Sequence, residues 1–211
     1  MGAMRAGRGH AGWRLWLGWM AASVAAVIAY VLIFPVLTNL VLAPFQPPQE
    51  EAVGSAQTWL FAAVNLIGSA GLGLAIGLGQ WWALRSECRH MGGWVPATVA
   101  GYSLIAIMPS LVGELGGGWL AGPLFLTGCG VILGILQWLA LRGCVRQAAW
   151  WVAISTGGWA LAVALIGLVE VTGLYVEPFD LLAVFLVPVA VGGAGMVWLL
   201  RRSPAAATVS A

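Results

Sequence analysis

Two segments of this chain are near copies of each other, and this repeat limits what the chain can fold into. GLGLAIGLGQWWALR, at residues 71–85, recurs as GCGVILGILQWLALR, at residues 128–142, with eight of fifteen positions identical and an offset of 57. The match continues into the segment after each copy, where Trp94 corresponds to Trp151. Self-similarity at a fixed period indicates that one supersecondary unit is repeated along the chain.

The composition predicts that the repeated unit is a pair of membrane helices. Hydrophobic residues make up 61% of the chain and charged residues 8%, against roughly 45–50% and 25% in soluble domains. Six apolar stretches each reach the roughly 20 residues that a helix needs to cross a bilayer. These predicted spans are about 19–42, 57–82, 94–114, 119–140, 150–171 and 180–200. The runs lack the alternation of barrel strands, so the predicted fold is an all-α integral membrane bundle of six transmembrane helices.

The repeat also predicts how the helices are grouped. W-x-x-x-[ST] opens one helix of the unit, and small-x-x-x-small followed by W-x-x-x-R closes the next. Three helical hairpins follow, at 19–85, 94–142 and 151–202, between an N-terminal tail at 1–18 and a flexible C-terminal tail at 203–211. Because each hairpin crosses twice, all three have one orientation, which favours a pseudo-threefold arrangement about an axis along the membrane normal.

Charge placement predicts the orientation in the membrane. All nine basic residues are arginines, and they fall at one end of the predicted helices: Arg5, Arg8, Arg14, Arg85, Arg89, Arg142, Arg146, Arg201 and Arg202. The acids other than Glu87 fall near the opposite ends. Short arginine-rich flanks stay in the cytoplasm, so both termini are expected there. Arginines at the membrane surface fit lipid headgroups, so membrane lipids are expected partners and nucleic acid is not.

Small residues four apart recur on the even-numbered helices. They are Gly73 and Gly77, Gly130 and Gly134, and Ala190 and Ala194. Such stripes let helices approach closely in lipid, so these six residues are predicted to be helix-packing positions. The same smooth surface would also accept a lipid, a sterol or a pigment ring.

Two glutamines occupy equivalent positions inside the predicted bilayer. Gln80 and Gln137 each lie five residues before a closing arginine, at a depth similar to Thr98 and Ser155. A buried amide needs a hydrogen-bond partner. We therefore predict that Gln80 pairs with Thr98 and Gln137 with Ser155, as contacts between repeats, while the third unit has Val197 in place of glutamine. The alternative is that these polar groups line an inner vestibule.

Tryptophan is abundant, and ten of the thirteen lie near the predicted inner boundary. They are Trp13, Trp16, Trp19, Trp81, Trp82, Trp94, Trp138, Trp150, Trp151 and Trp198. Amphipathic rings at headgroup level predict a belt that anchors the protein at the interface.

Few residues suggest a cation or metal site. Asn39, Glu114 and Glu170 lie 19 or 20 residues past the tryptophan that opens each unit, so they could form an outer polar cluster around a cation. The alternative is that they reach the outer interface and meet water. Cys88, His90 and Cys144 lie in neighbouring inner loops, but their spacing matches no established metal site.

Other catalytic patterns are absent from the sequence. It contains no paired carboxylates, no Ser-His-Asp set and no phosphate loop, and neither histidine lies inside a predicted helix. We therefore expect no catalytic residues, no resident metal and no cofactor, and we expect that the protein is not an enzyme.

The segments G-x-x-x-G-x-x-Q-W-L-A-L-R at 130–142 and W-W-V-A-I-S-T-G-G-W at 150–159 resemble a group of bacterial polytopic membrane proteins. That group repeats Q-W-L-x-L-R and W-W-x-x-x-[ST]-x-x-G-W and is generally described as uncharacterised. The resemblance implies the bacterial cytoplasmic (inner) membrane and brings no activity. We expect a scaffold or accessory subunit of a membrane assembly, bound to lipids and to other membrane subunits. The alternative is a small carrier or channel for an uncharged or lipophilic solute.

The predicted topology can be checked by labelling. Since Glu50 follows the first predicted span and Arg85 follows the second, impermeant labels should reach the two positions from opposite faces of the bilayer. Labelling of both from one face would contradict the predicted crossings.

Overall fold

Six α-helices make up the described part of the chain. The computed structural model describes residues 3–42, 55–88, 91–114, 121–173 and 179–202. The helices are α1 (Ala3–Leu42), α2 (Ser55–Leu84), α3 (Trp94–Glu114), α4 (Ala121–Leu141), α5 (Trp150–Thr172) and α6 (Phe179–Arg202). Apart from the start of α1, every helix end lies within two residues of its predicted span, which confirms an all-helical fold.

The first helix is longer than the sequence suggested. Residues 1–18 were predicted as a tail, but α1 begins at Ala3 and runs without interruption into the apolar stretch. Residues 3–18 contain alanines, arginines and leucines, which favour a helix, as well as four glycines, which do not, and no proline interrupts the chain before Pro35. The helix therefore continues well ahead of the apolar stretch.

Five of the helices are long and apolar enough to cross a membrane. Their apolar segments are Gly12–Leu40, Ala62–Leu84, Gly122–Leu141, Trp150–Thr172 and Ala183–Arg202. The apolar segment described in α3, Trp94–Met108, is shorter. The chain is thus a helical protein with several apolar helices of membrane-spanning length.

The helices form a closed ring. Each one packs against the helices before and after it in the chain, and α6 packs back against α1. Helices that are consecutive in the chain thus also pack as neighbours, which is the usual arrangement of consecutive elements.

The tightest packing lies at the arginine-rich end of the ring. The main core cluster there includes Trp19, Leu84, Leu141 and Leu199. Towards the opposite end, large apolar side chains face outward, and Leu40 and Val171 are 68% and 88% exposed. An outer surface of this kind suits contact with lipid.

Glycines allow close helix contact at two equivalent interfaces. A Cβ atom built on Gly73 would lie 2.9 Å from the Val99 Cα, and one on Gly130 would lie 2.9 Å from the Thr156 Cα. Gly77 and Gly134 make similar approaches one turn further on. The backbones of α2 and α3, and of α4 and α5, therefore touch where a side chain would not fit.

The sixth helix packs on α1 through different residues from those predicted. A Cβ atom on Gly193 would lie 2.9 Å from the Trp19 ring, whereas Ala194 is exposed. Ala190 contributes its carbonyl oxygen, which accepts a hydrogen bond from Trp16. The face that α6 turns to α1 is thus rotated from the Ala190–Ala194 stripe, because the indole rings of α1 need the space over Gly193.

Two glycines on α4 provide a matched test of this packing. Gly130→Ala should destabilise the fold by about 1–3 kcal/mol, because the new methyl group would overlap the backbone of α5. Gly128 has no neighbour within 4 Å at its Cβ position, so Gly128→Ala should be neutral or stabilising by up to about 1 kcal/mol. Thermal unfolding in detergent, followed by circular dichroism, measures both. Equal effects of the two substitutions would show that close approach at Gly130 is unimportant.

Candidate functional site

Three buried tryptophans meet inside the ring. Trp19, Trp94 and Trp151 come from α1, α3 and α5, and each is at most 2% exposed. Their ring centroids are 5.8, 6.0 and 5.6 Å apart, and their planes cross at 65°, 74° and 62°. The three rings thus form a nearly equilateral, edge-to-face cluster, which we call the tryptophan triad.

The triad corrects the prediction that all ten tryptophans form a belt at the interface. Its three members are buried in the core, whereas Trp13, Trp82 and Trp150 are 57–60% exposed and suit a belt. The sequence indicates the level of each tryptophan relative to the predicted bilayer. It does not indicate whether the ring points into the core or out to the surface.

Each indole N–H in the triad needs an acceptor, and a glutamine supplies the first. Trp94 Nε1 donates to Gln80 Oε1 at 3.3 Å, and Gln80 Nε2 donates to Ser23 Oγ at 3.2 Å. The Gln80 side chain is 5% exposed. It therefore connects α1, α2 and α3 through one buried amide.

The second glutamine repeats this arrangement. Trp151 Nε1 donates to Gln137 Oε1 at 3.0 Å, and Gln137 Nε2 donates to Thr98 Oγ1 at 3.0 Å. Thr98 in turn donates to the carbonyl oxygen of Trp94 at 2.9 Å. The two sets thus join into a continuous chain of hydrogen bonds from α1 to α5.

The predicted glutamine partners were wrong by one unit. Gln80 bonds to Ser23 rather than Thr98, and Gln137 bonds to Thr98 rather than Ser155. Each amide pairs with the hydroxyl of its own hairpin, and the tryptophan makes the link to the next. The sequence did contain the signal, because Ser23 follows Trp19 by four residues as Thr98 follows Trp94.

The third position of the triad has no glutamine. Trp19 Nε1 donates instead to the carbonyl oxygen of Val189 at 3.1 Å. Met196 is 1% exposed and follows Gly193 by three residues. Gln80 follows Gly77 by the same interval, and Gln137 follows Gly134. Met196 is therefore the packing counterpart of the glutamines, and Val197 lines a groove on the outside of the ring.

A small cavity adjoins the triad inside the ring. Its volume is about 50 Å³, and its wall includes Trp19, Trp151, Tyr102, Ser155 and Trp159. The hydroxyls of Tyr102 and Ser155 and the N–H of Trp159 have no hydrogen-bond partner among the described residues. Ser155 lacks one because the amide that would reach it is replaced by a methionine. The cavity wall thus combines apolar residues with three polar residues whose side chains make no hydrogen bond among the described residues.

A disulfide bond crosses the arginine-rich end. Cys88, just after α2, is bonded to Cys144, just after α4, with a Cα separation of 5.9 Å. Cys88 is buried in the same core cluster as the triad. His90, which the sequence places in the same loop as Cys88, lies outside the described residues. Within the described chain, no three His, Cys, Asp or Glu side chains approach closely enough to hold a metal.

The predicted outer cluster is not assembled by the residues that can be placed. Asn39 and Glu170 are both exposed, and their helices, α1 and α5, are separated in the ring by α6. The side chain of Glu114 lies outside the described residues. Asn39 and Glu170 therefore stand at the surface, where water or headgroups can solvate them.

Comparisons with known protein families, with curated proteins and with solved structures find no match to this chain. Its function is therefore inferred from its own residues and geometry.

Gln137 offers a direct test of the hydrogen-bonded chain. Gln137→Leu should destabilise the fold by about 1–3 kcal/mol, because the Trp151 N–H would stay buried without an acceptor. Gln147 is exposed in the turn before α5, so Gln147→Leu should change stability by less than about 0.5 kcal/mol. Thermal unfolding in detergent compares the two. A Gln137→Leu variant as stable as the wild type would contradict this role of the amide.

Proposed function

We propose that this chain is a non-enzymatic integral protein of the bacterial cytoplasmic membrane, acting as a scaffold or accessory subunit of a membrane assembly. The observation that supports this best is the closure of the ring axis by Trp19, Trp94 and Trp151. Their rings touch edge to face at 5.6–6.0 Å, and their N–H groups are all satisfied by protein acceptors. A solute would have to break these contacts to pass.

The closed axis leaves the outer surface as the place where the protein can act. Apolar side chains cover that surface on every helix, including Leu32 at 66% exposure and Leu124 at 68%. A surface of this kind contacts lipids and the helices of other membrane subunits. Arginines at one end suit headgroups, and no nucleic-acid partner is proposed.

Six crossings in three hairpins are part of the proposal, with α3 as the third span. Equivalent residues 57 apart make equivalent contacts, as Trp94 does with Gln80 and Trp151 with Gln137. The near-equilateral triad supports a pseudo-threefold axis through the ring. Because consecutive spans alternate in direction, both chain ends then lie on the arginine side.

The proposed orientation puts that arginine side in the cytoplasm. The disulfide between Cys88 and Cys144 lies at the same end. Disulfides are rare in a reducing cytosol, so the proposed orientation requires the two sulfurs to be thiols in the cell.

The alternative function is a small carrier or channel for an uncharged or lipophilic solute. Tyr102 and Ser155, which line the cavity and whose hydroxyls have no hydrogen-bond partner among the described residues, favour it. The cavity has room for only about three to five water molecules, and Trp19 and Trp151 form part of its wall. A carrier would need a larger chamber than this conformation provides.

Solute flux distinguishes the two functions. Vesicles containing the wild-type protein should swell in glycerol or urea gradients at the rate of protein-free vesicles, because the triad closes the axis. Trp94→Ala should raise the swelling rate by removing one ring. Trp82 is 57% exposed, so Trp82→Ala should leave the rate unchanged. Stopped-flow light scattering provides the measurement. Fast, saturable flux through the wild type would favour the carrier and contradict the scaffold.

The scaffold also predicts a partner. Cross-linking in native membranes, followed by purification, should recover a second membrane protein in a fixed molar ratio to this chain. Leu124→Ala and other outward substitutions away from the groove between α1 and α6 should weaken that recovery without changing thermal stability. Purification of the chain alone after cross-linking would contradict the scaffold function.

A further inference from the structure

The contact between α1 and α6 leaves a groove on the outside of the ring. Its volume is about 550 Å³, and its lining is almost entirely apolar. The stacked rings of Trp13 and Trp16, 5.1 Å apart, form one wall, and the exposed Ala194 lies on the other. We call this feature the α1–α6 groove.

The groove has the length of one membrane leaflet. Arg201 follows Ala190 by eleven positions, and both residues line the groove. At 1.5 Å per residue they span about 16 Å, while half of a hydrocarbon core of about 30 Å is about 15 Å. The groove therefore runs from the headgroup level towards the middle of the bilayer, over the depth that an acyl chain occupies.

A positive charge stands at the headgroup end. The Arg201 guanidinium packs over Gly12, and Arg201 is exposed. Arg202 and Arg85 each lie over a tryptophan ring, but the described residues give Arg201 neither a ring nor an acidic partner. Its guanidinium is thus available to a ligand, and guanidinium groups bind phosphate oxygens well.

A second donor lies beside this arginine. The Trp13 indole is 60% exposed, and its N–H has no partner among the described residues. By contrast, the Trp16 N–H is already held by the carbonyl oxygen of Ala190 at 3.2 Å. Trp13 can therefore donate to a headgroup or glycerol oxygen while its ring contacts the acyl chain.

We propose that the α1–α6 groove binds one anionic phospholipid, with an acyl chain along Ala190, Ala194 and Val197 and the phosphate at Arg201. Basic sites between membrane helices bind anionic headgroups in this way. The site depends on the membrane location proposed above. A zwitterionic lipid offers the same chain but carries a cation next to the phosphate, so the anionic lipid binds more tightly.

Native mass spectrometry of the full chain in mild detergent tests the site. With added dioleoylphosphatidylglycerol, the wild type should retain one lipid molecule at concentrations where dioleoylphosphatidylcholine is lost. Arg201→Gln should lower the affinity for phosphatidylglycerol about fivefold, and Ala194→Trp should abolish this binding by filling the groove.

Two control variants match these changes. Arg202→Gln removes the same charge one residue further on, and Ala153→Trp adds the same ring at an exposed position on α5. Both should retain the lipid. Thermal unfolding of each variant in detergent checks that it is folded, and Arg201→Gln, a surface change, still tests the site if Ala194→Trp does not fold.

The possible failures are distinguishable. A chain recovered in the soluble fraction, binding neither lipid, would overturn the proposed membrane function. A membrane chain that loses lipid equally with Arg201→Gln and Arg202→Gln would refute the site alone. If Ala194→Trp abolished a protein complex but left phosphatidylglycerol binding intact, the groove would be a protein interface and the lipid proposal would be wrong.

Discussion

The buried indole N–H groups of the tryptophan triad impose the constraint on which the rest of the structure depends. A tryptophan ring is large enough to fill the axis of a six-helix ring, but its N–H must find an acceptor where no bulk water is present. Gln80 and Gln137 provide two of the three acceptors, and each amide then needs an acceptor for its own N–H groups. Ser23 and Thr98 supply these oxygens. The need for indole acceptors thus accounts for the positions of four further polar side chains. The resulting hydrogen bonds hold α1 to α5 in register.

The third unit meets the same requirement in another way, and this difference makes the ring asymmetric. With Met196 in the glutamine position, the Trp19 N–H turns to the carbonyl oxygen of Val189. The backbone oxygen is fixed on α6, so α1 must approach that helix through its tryptophans, over Gly193. Two spaces lie next to the unit that has methionine in place of glutamine. One is the cavity whose wall includes Ser155, and the other is the outer groove beside Ala194. The copy that departs from the repeat is therefore where the protein has room for something else.

Much of the fold follows from local sequence, whereas the site depends on contacts between helices. Helix limits were predictable because apolar runs and their flanks are local features, and the glycine stripes of α2 and α4 are repeated in the sequence itself. The face that α6 turns to α1 was not predictable in this way. Ala190 and Ala194 have the spacing of a packing stripe, but Gly193 accommodates the indole rings of α1. Depth along a helix likewise could not separate the inward Trp19 from the outward Trp13. Hydropathy gives the depth of a residue, but only packing gives its direction.

The distribution of packing along the axis bears on how such a protein can work. The triad, the pair Cys88–Cys144 and the leucines Leu84, Leu141 and Leu199 all lie at the arginine-rich end. The opposite end has more exposed apolar side chains. The cavity beside the triad is also lined by Tyr102 and Trp159, which lie further along their helices from the arginines. A ring fixed at one end and less tightly packed at the other can adjust the spread of its outer halves without breaking the buried hydrogen bonds. In the proposed membrane location, adaptation to bilayer thickness would need movement only on the loosely packed side, because the buried hydrogen bonds lie near the arginine-rich end.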